Sequence, residues 1–145
     1  MKLTLHTDYG LRVLIYLGVS HDRLVSTAEV ANAYGISQHH LVKVVQHLSQ
    51  HGYVETIRGR GGGMRLACDA VDINVGAVVR NLESSNSLLE CFDPATNACP
   101  IAPACSLLGL FKEAQEAFLQ VLDGKTLADI VRRPRAYQVL IGLSP

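Results

Sequence analysis

The residues of this chain with the most chemistry in them are three cysteines. Cys91, Cys99 and Cys105 fall within the fifteen-residue stretch CFDPATNACPIAPAC, which contains no histidine. Seven residues separate the first pair and five the second, and Pro94, Pro100 and Pro103 stiffen the intervals. Three thiols are one too many for a disulfide and one too few for a four-ligand metal site. Zinc knuckles use tighter C-x₂₋₄-C spacing, so the set is loose for zinc. Long stiffened intervals suit a larger object such as an iron–sulfur cluster, which cysteine thiolates hold. A zinc site and a metal-free thiol switch stay open as alternatives. No histidine follows Cys105 closely; Leu107 and Leu108 occupy those places. Cys68 stands apart and is expected to be a small buried hydrophobe.

The chain of 145 residues is one domain's worth, or a small domain with an appendage. At 48% hydrophobic residues it can bury a real core. Its 13 basic and 13 acidic side chains cancel, which argues against a bulk nucleic-acid coat but leaves room for a local basic patch. No apolar run approaches a membrane span, and MKLTLHTDYGLR lacks the features of a signal peptide. A cytoplasmic location is therefore expected, where clustered cysteines are more often metal ligands or redox groups than structural disulfides. No Ser/His/Asp set or convergent carboxylate pair stands out. The Gly61–Gly63 run lacks the following helix that a phosphate loop needs. An enzyme is not expected.

The elements that must position these thiols are mainly helical. Thr7 to about Val19 reads as a helix apolar on most sides, hence buried between two layers, with Asp8 capping its first turn and Arg12 at i+4. Ser26 and Glu29 form a capping-box signature before AEVANAYG, which Gly35 stops. Ser37 then caps a second helix with Leu41, Val44, Val45 and Leu48 on one face, ended by Gly52. Two helices joined by the tight YGIS turn are a helix-turn-helix. Tyr53–Ile57 and Met64–Leu66 read as a β-hairpin around an arginine-bearing glycine tip, which makes the unit a winged helix-turn-helix over residues 1–73.

Residues 74–145 carry the rest. Asn74–Glu83 reads as a helix, Ser84–Ser87 as a loop, about 88–105 as the cysteine loop, and Ser106 to Leu122 as a long helix. Leu107, Phe111, Ala114, Phe118 and Val121 recur at coiled-coil spacing, and Leu110, Ala117 and Leu122 widen the arc. Little else in the chain is left to cover that face, so it predicts a homodimer. Thr126–Val131 starts a last short helix.

A helix-turn-helix sets the N-terminal residues of its second helix at base edges in the major groove. Here those are Ser37, Gln38, His39 and His40, with Lys43 one turn on. Gln suits a bidentate contact to adenine, and lysine holds phosphate. Arg58, Arg60 and Arg65 flank the wing glycines, where an arginine can enter a narrow minor groove. A dimer of such units would read near-palindromic double-stranded DNA.

LTLHTDYGLRVLIYL, YGIS, HLVKVVQHLSQHGYVETIRGRGGGMRL, VVRNLE, the three cysteines and TLADIV together resemble the NsrR repressors. These belong to the winged-helix iron–sulfur regulator family that includes IscR and RirA. IscR-like members carry a histidine ligand shortly after the third cysteine, and this chain does not. The resemblance implies a homodimeric transcriptional repressor that senses nitric oxide and holds one cluster per subunit through Cys91, Cys99 and Cys105. A 4Fe–4S cluster is expected ahead of 2Fe–2S. It further implies that Asp8 of the opposite subunit completes the site; Arg12, at the i+4 ion-pair position, is then expected to take up Asp8 when the cluster is lost. A RirA-like iron response is the alternative signal.

Overall fold

In the computed structural model, which describes residues 2–20, 23–83 and 88–143, Thr4 opens the first helix. Its hydroxyl accepts from Thr7 N at 3.2 Å and caps α1 (Leu5–Gly18). The helix starts two residues before the expected Thr7, and Thr4 rather than Asp8 is the cap. Asp8 N already donates to Thr4 O at 3.0 Å, so its carboxylate lies past the orphan amides and turns to Arg12.

The remaining elements are α2 (Thr27–Tyr34), α3 (Gln38–Gln50), β1 (Val54–Ile57), β2 (Gly63–Leu66), α4 (Val75–Leu82), α5 (Ser106–Asp123), α6 (Leu127–Ile130) and α7 (Pro134–Leu140). Two 3₁₀ turns, Glu90–Phe92 and Ala102–Ala104, lie in the cysteine loop. The architecture is a mainly helical winged helix-turn-helix with a long helix attached. The expected loop at Ser84–Ser87 lies outside the described residues. None of the described helices is long and apolar enough to cross a membrane.

α1 is the centre of the molecule. Val13, Leu14, Tyr16 and Leu17 are buried, and the helix packs on α3, α4, α6 and β2. Gly10 lets α4 approach: a Cβ there would lie 2.3 Å from Leu82 Cδ1. The apolar stripe of α3 (Leu41, Val44, Val45, Leu48) is buried as its spacing requires. Gly35 closes α2 at φ +63°, the left-handed conformation in which glycine carries no Cβ penalty. Ser37 stands at the N-cap of α3 but makes no side-chain cap bond.

β1 and β2 pair antiparallel from Val54↔Leu66 to Ile57↔Gly63, and Val25 adds a bridge to Met64. Cys68 is exposed, not buried. β2 ends at Leu66, and the turn in which Asp72 N bonds Asp69 O carries residue 68 away from the core.

Asn74 caps α4 through Ala77 N at 2.9 Å and also donates to Asp123 O at 2.7 Å, tying the start of α4 to the end of α5. Arg80 clasps Asp123 through both guanidinium ends, at 2.5 and 2.7 Å. α7 was not legible in the sequence. It is short, begins at Pro134, and docks through buried Gln138, whose Nε2 donates to Val19 O at 2.8 Å, and through Tyr137, whose hydroxyl donates to Ile130 O at 3.1 Å.

Ser26 accepts from Glu29 N, so half of the expected capping box forms. The Glu29 carboxylate is engaged chiefly elsewhere, by Arg23 and by the hydroxyl of buried Tyr16 at 2.8 Å. Burial, then the bond to Glu29, pushes the Tyr16 pKa from 10.0 up to about 12. A raised folded-state pKa means this contribution to stability is complete below pH 10 and is lost as pH rises through about 12. Tyr16→Phe is therefore expected to flatten the fall of unfolding free energy between those two values, measured by urea denaturation across the range. An unchanged slope would show that Tyr16 does not control it.

Candidate nucleic-acid interface and cysteine loop

Helix α3 presents Ser37, Gln38, His39, His40 and Lys43 to solvent. The four residues from Ser37 to His40 lie at its N-terminal end, and Lys43 is one turn on. The same exposed face continues through Val42, Gln46 and Gln50. Between it and the wing lies a cleft of about 550 Å³, bordered by Thr27, Gln46, Gln50, Thr56 and Arg58. The sequence reading stopped at Lys43. The steps of three and four from His39 to Val42, Gln46 and Gln50 are the signal that would have extended it.

The three wing arginines are not equivalent. Arg58 and Arg60 are exposed and have no ion-pair partner among the described residues. Arg65 donates from Nε to Glu55 Oε2, its cross-strand neighbour, at 2.9 Å. That pair is exposed, so it is worth under about 1 kcal/mol and is easily exchanged. The tip itself is rigidly specified. Gly59 and Gly61 have φ of +98° and +78°, and a Cβ on Gly62 would fall 2.2 Å from Ile57 O.

The cysteine loop is organised by its own polar side chains. Glu90 Oε1 accepts from Ala98 N at 2.7 Å, Asp93 Oδ1 from Ala95 N at 2.9 Å, and Asn97 Oδ1 from Cys99 N at 3.0 Å. The Lys112 ammonium, on α5, lies 5.9 Å from the centre of the Phe92 ring, which ties the loop to that helix. Cys91 sits in the first 3₁₀ turn, and Cys105 is the N-cap residue of α5 without a side-chain cap bond. Cys91, Cys99 and Cys105 are all free and half-buried. Among the described residues, no three His, Cys, Asp or Glu side chains are arranged to hold a metal ion. The fold thus places the three thiols on one loop without gathering them. The donor set still fits an iron–sulfur group: three unbonded soft thiols, one of them beside first-turn amides that favour negative charge.

Asp8 lies on α1, paired with Arg12 through Oδ1–Nε at 3.2 Å and Oδ2–Nη2 at 2.9 Å. Both side chains are 42% exposed. The Arg12 guanidinium also lies 5.7 Å from the centre of the Tyr34 ring in α2. Arg12 therefore touches Asp8 on one side and α2, the first helix of the helix-turn-helix, on the other, a contact that sequence spacing does not reveal. Asp8 and Arg12 both belong to α1. Its principal neighbours are α3, α4, α6 and β2, and α4 in turn packs on α5.

Comparison with known proteins decides the family. A family model described as "Rrf2: Iron-dependent Transcriptional regulator" matches residues 3–133. The chain belongs to the Rrf2 family. It is 51% identical over 133 residues to the HTH-type transcriptional regulator NsrR of Bacillus subtilis, covering 91% of each chain. It is 45% identical over the full length of both chains to NsrR of Halalkalibacterium halodurans. Among solved structures it resembles T. potens IscR (TM-score 0.74, 25% identity, 95% of this chain and 91% of the other). It also resembles CymR, the global cysteine regulator of B. subtilis (TM-score 0.70, 29% identity, 91% and 97%). The protein is thus a transcriptional regulator and not an enzyme.

In this Rrf2 chain α5 stands apart from the other described α-helices, each of which has at least one buried residue. It has no buried residue, and Leu107, Leu110 and Val121 are 53%, 59% and 71% exposed. Phe111 and Ala114 of the same stripe are exposed too, and Phe118 is half-buried. Leu108, Leu119 and Leu122, which flank the stripe on one side, are half-buried. Gly62→Ala drives a methyl into the Ile57 carbonyl, and the wing must open to admit it. Hydrogen exchange of the β1–β2 amides is expected to rise about tenfold, equivalent to ~1.4 kcal/mol of local stability, with the α1 amides unchanged. Unaltered exchange in the wing would show that the tip has room.

Proposed function

We propose that this Rrf2 regulator is a cytoplasmic homodimeric repressor that senses nitric oxide through an iron–sulfur group. The group is held by Cys91, Cys99 and Cys105 of one subunit and by Asp8 of the partner subunit. The observation that carries the reading is the loop opening α5. It keeps three free thiols in a chain about half identical to regulators named NsrR. One cluster per subunit, 4Fe–4S in preference to 2Fe–2S, is the form we assign. When bound, it supplies iron that reacts with nitric oxide. Residues 1–73 are assigned to DNA reading and 74–145 to the cluster loop and dimer helix.

The side chains of this protein do the coupling. The uncovered stripe of α5 supports a second copy as its cover, since lengthwise packing of such stripes buries both. Asp8 has two uses. While it serves the partner's loop, its bond to Arg12 is given up. Once released, it returns to Arg12, which also rests on Tyr34 at the base of the helix-turn-helix. Each change of partner therefore reaches the unit that holds operator DNA. A switch from 99% to 1% competent needs a bias of ~5.5 kcal/mol between the two states. Loss of a subunit-bridging ligand, with recovery of the Asp8–Arg12 pair, acts in that direction.

On DNA, Ser37, Gln38, His39 and His40 are assigned to base edges, and Lys43, Arg58, Arg60 and Arg65 to phosphate or the minor groove. Arg65 must first leave Glu55. With about eight phosphate contacts per dimer, affinity is expected to fall ~10³–10⁵-fold between 50 and 200 mM salt.

Protein purified without oxygen should be coloured and contain iron and sulfide, and should release operator DNA on nitric oxide titration. Alanine at Cys91, Cys99 or Cys105 should give colourless protein that no longer represses, and Asp8→Ala a cluster of altered stability with a weakened response. Full zinc occupancy would instead favour the zinc alternative. Release on iron depletion but not with nitric oxide would favour a RirA-like role, consistent with the family's iron-dependent description. On the DNA side, Lys43→Ala removes one phosphate contact per subunit, so it should reduce the salt slope of the dimer by about two and weaken all sequences alike. Gln38→Ala should cost about 1–3 kcal/mol at one base pair and relax specificity there, both read by operator titrations at several salt concentrations.

A further inference from the structure

Three histidines outside the cysteine loop form a chain between α1 and α3. His6 Nε2 lies 3.0 Å from His47 Nδ1, and His47 Nε2 lies 3.2 Å from His51 Nε2. His47 is in the last turn of α3, and His51 follows one turn later as its C-cap. The His47 and His51 ring centroids are 4.9 Å apart, with the ring planes tilted by 50°. His51 is exposed and His47 half-buried, so solvent reaches the gap between them.

We propose that His47 and His51 form an exchangeable site for a borderline divalent transition-metal ion of the zinc class, with His6 as the residue that orients His47. Two imidazole nitrogens on a tetrahedral zinc, each at about 2.05 Å, lie about 3.3–3.4 Å apart. The observed 3.2 Å already matches that bite. A neutral imidazole carries one N–H. When His47 donates Nδ1–H to His6 Nε2, its Nε2 presents a lone pair toward His51. This is the arrangement that metal-ligating histidines adopt, with the second ring nitrogen held by an acceptor. The end of α3 adds the negative pole of the helix dipole, which favours a cation. Only two protein nitrogens are supplied, so water completes the coordination and the ion exchanges. Metal binding also fixes the direction of the His47–His6 hydrogen bond. It thereby locks the last turn of the recognition helix to the first turn of α1.

The test uses the full-length protein with its thiols alkylated, so that cysteine does not compete. Zinc chloride is titrated while the histidine rings are followed by ¹H–¹⁵N NMR. The expected result is a saturable one-to-one shift of the His47 and His51 Nε2 signals, with His39 and His40 unmoved. His51→Gln, at an exposed position, should weaken binding at least tenfold without changing the thermal midpoint of the metal-free protein. His6→Gln should keep the stoichiometry but weaken binding about 10-fold or more, the scale of a lost orienting partner. Signals of His47 and His51 that do not move up to 1 mM zinc would overturn the proposal, leaving a simple hydrogen-bonded imidazole chain. So would binding that is the same in His51→Gln as in the unsubstituted protein.

Discussion

The structure depends on the burial of α1. Val13, Leu14, Tyr16 and Leu17 are at most 4% exposed, and their helix is packed by α3, α4, α6 and β2 at once. Each such side chain contributes roughly 1.5–3 kcal/mol when removed from water. A helix enclosed in this way cannot shift independently, because protein interiors are close-packed. Displacement of α1 is therefore felt by the recognition helix on one side and by α4, and through it α5, on the other. Gly10 shows how tight the arrangement is: Leu82 occupies the space where a side chain would begin.

Polar residues are placed so that this packed centre has two outlets. Along one, Arg12 joins Asp8 on α1 to Tyr34 on α2. Along the other, Thr4 N and Oγ1 both reach Glu83 Oε1, at 2.9 and 3.1 Å, so the first turn of α1 is moored to the end of α4. Asn74, Arg80 and Asp123 then fasten α4 to the end of α5. Most of these contacts are surface contacts of small individual strength, and their value is in direction. They connect the start of α1 to the elements flanking the cysteine loop without adding bulk to the core.

The cysteine loop is built on a different principle. It contributes no buried residue to the core, and its shape comes from carboxylate and amide side chains bonded to backbone N–H groups a few residues away. Such a loop can adjust its thiols at small cost, because no packed side chain moves with them. α5 behaves similarly on its outer face, where apolar residues stand in water that a second copy of the chain would exclude. The parts assigned to sensing and assembly are thus the least buried, and the parts assigned to DNA reading are braced by the core.

The sequence by itself determined the winged helix-turn-helix. Its evidence is local: helical spacing of Leu41, Val44, Val45 and Leu48, left-handed glycine at Gly35, and a glycine-tipped hairpin each act within a few residues. It also marked the uncovered stripe of α5, since a hydrophobic arc with nothing in the chain to cover it is a statement about composition. It did not reveal α7, whose helix is short and whose anchor, Gln138 on Val19 O, joins residues 119 positions apart. It placed Cys68 inside by residue type, and a turn decided otherwise. Tertiary structure alone decided that Arg12 meets Tyr34, that Arg65 is held by Glu55 while Arg58 and Arg60 are not, and that His6 meets His47. These are contacts between side chains brought together by the packing of separate elements. Such packing follows from excluded volume and burial over the whole chain, which no short stretch encodes.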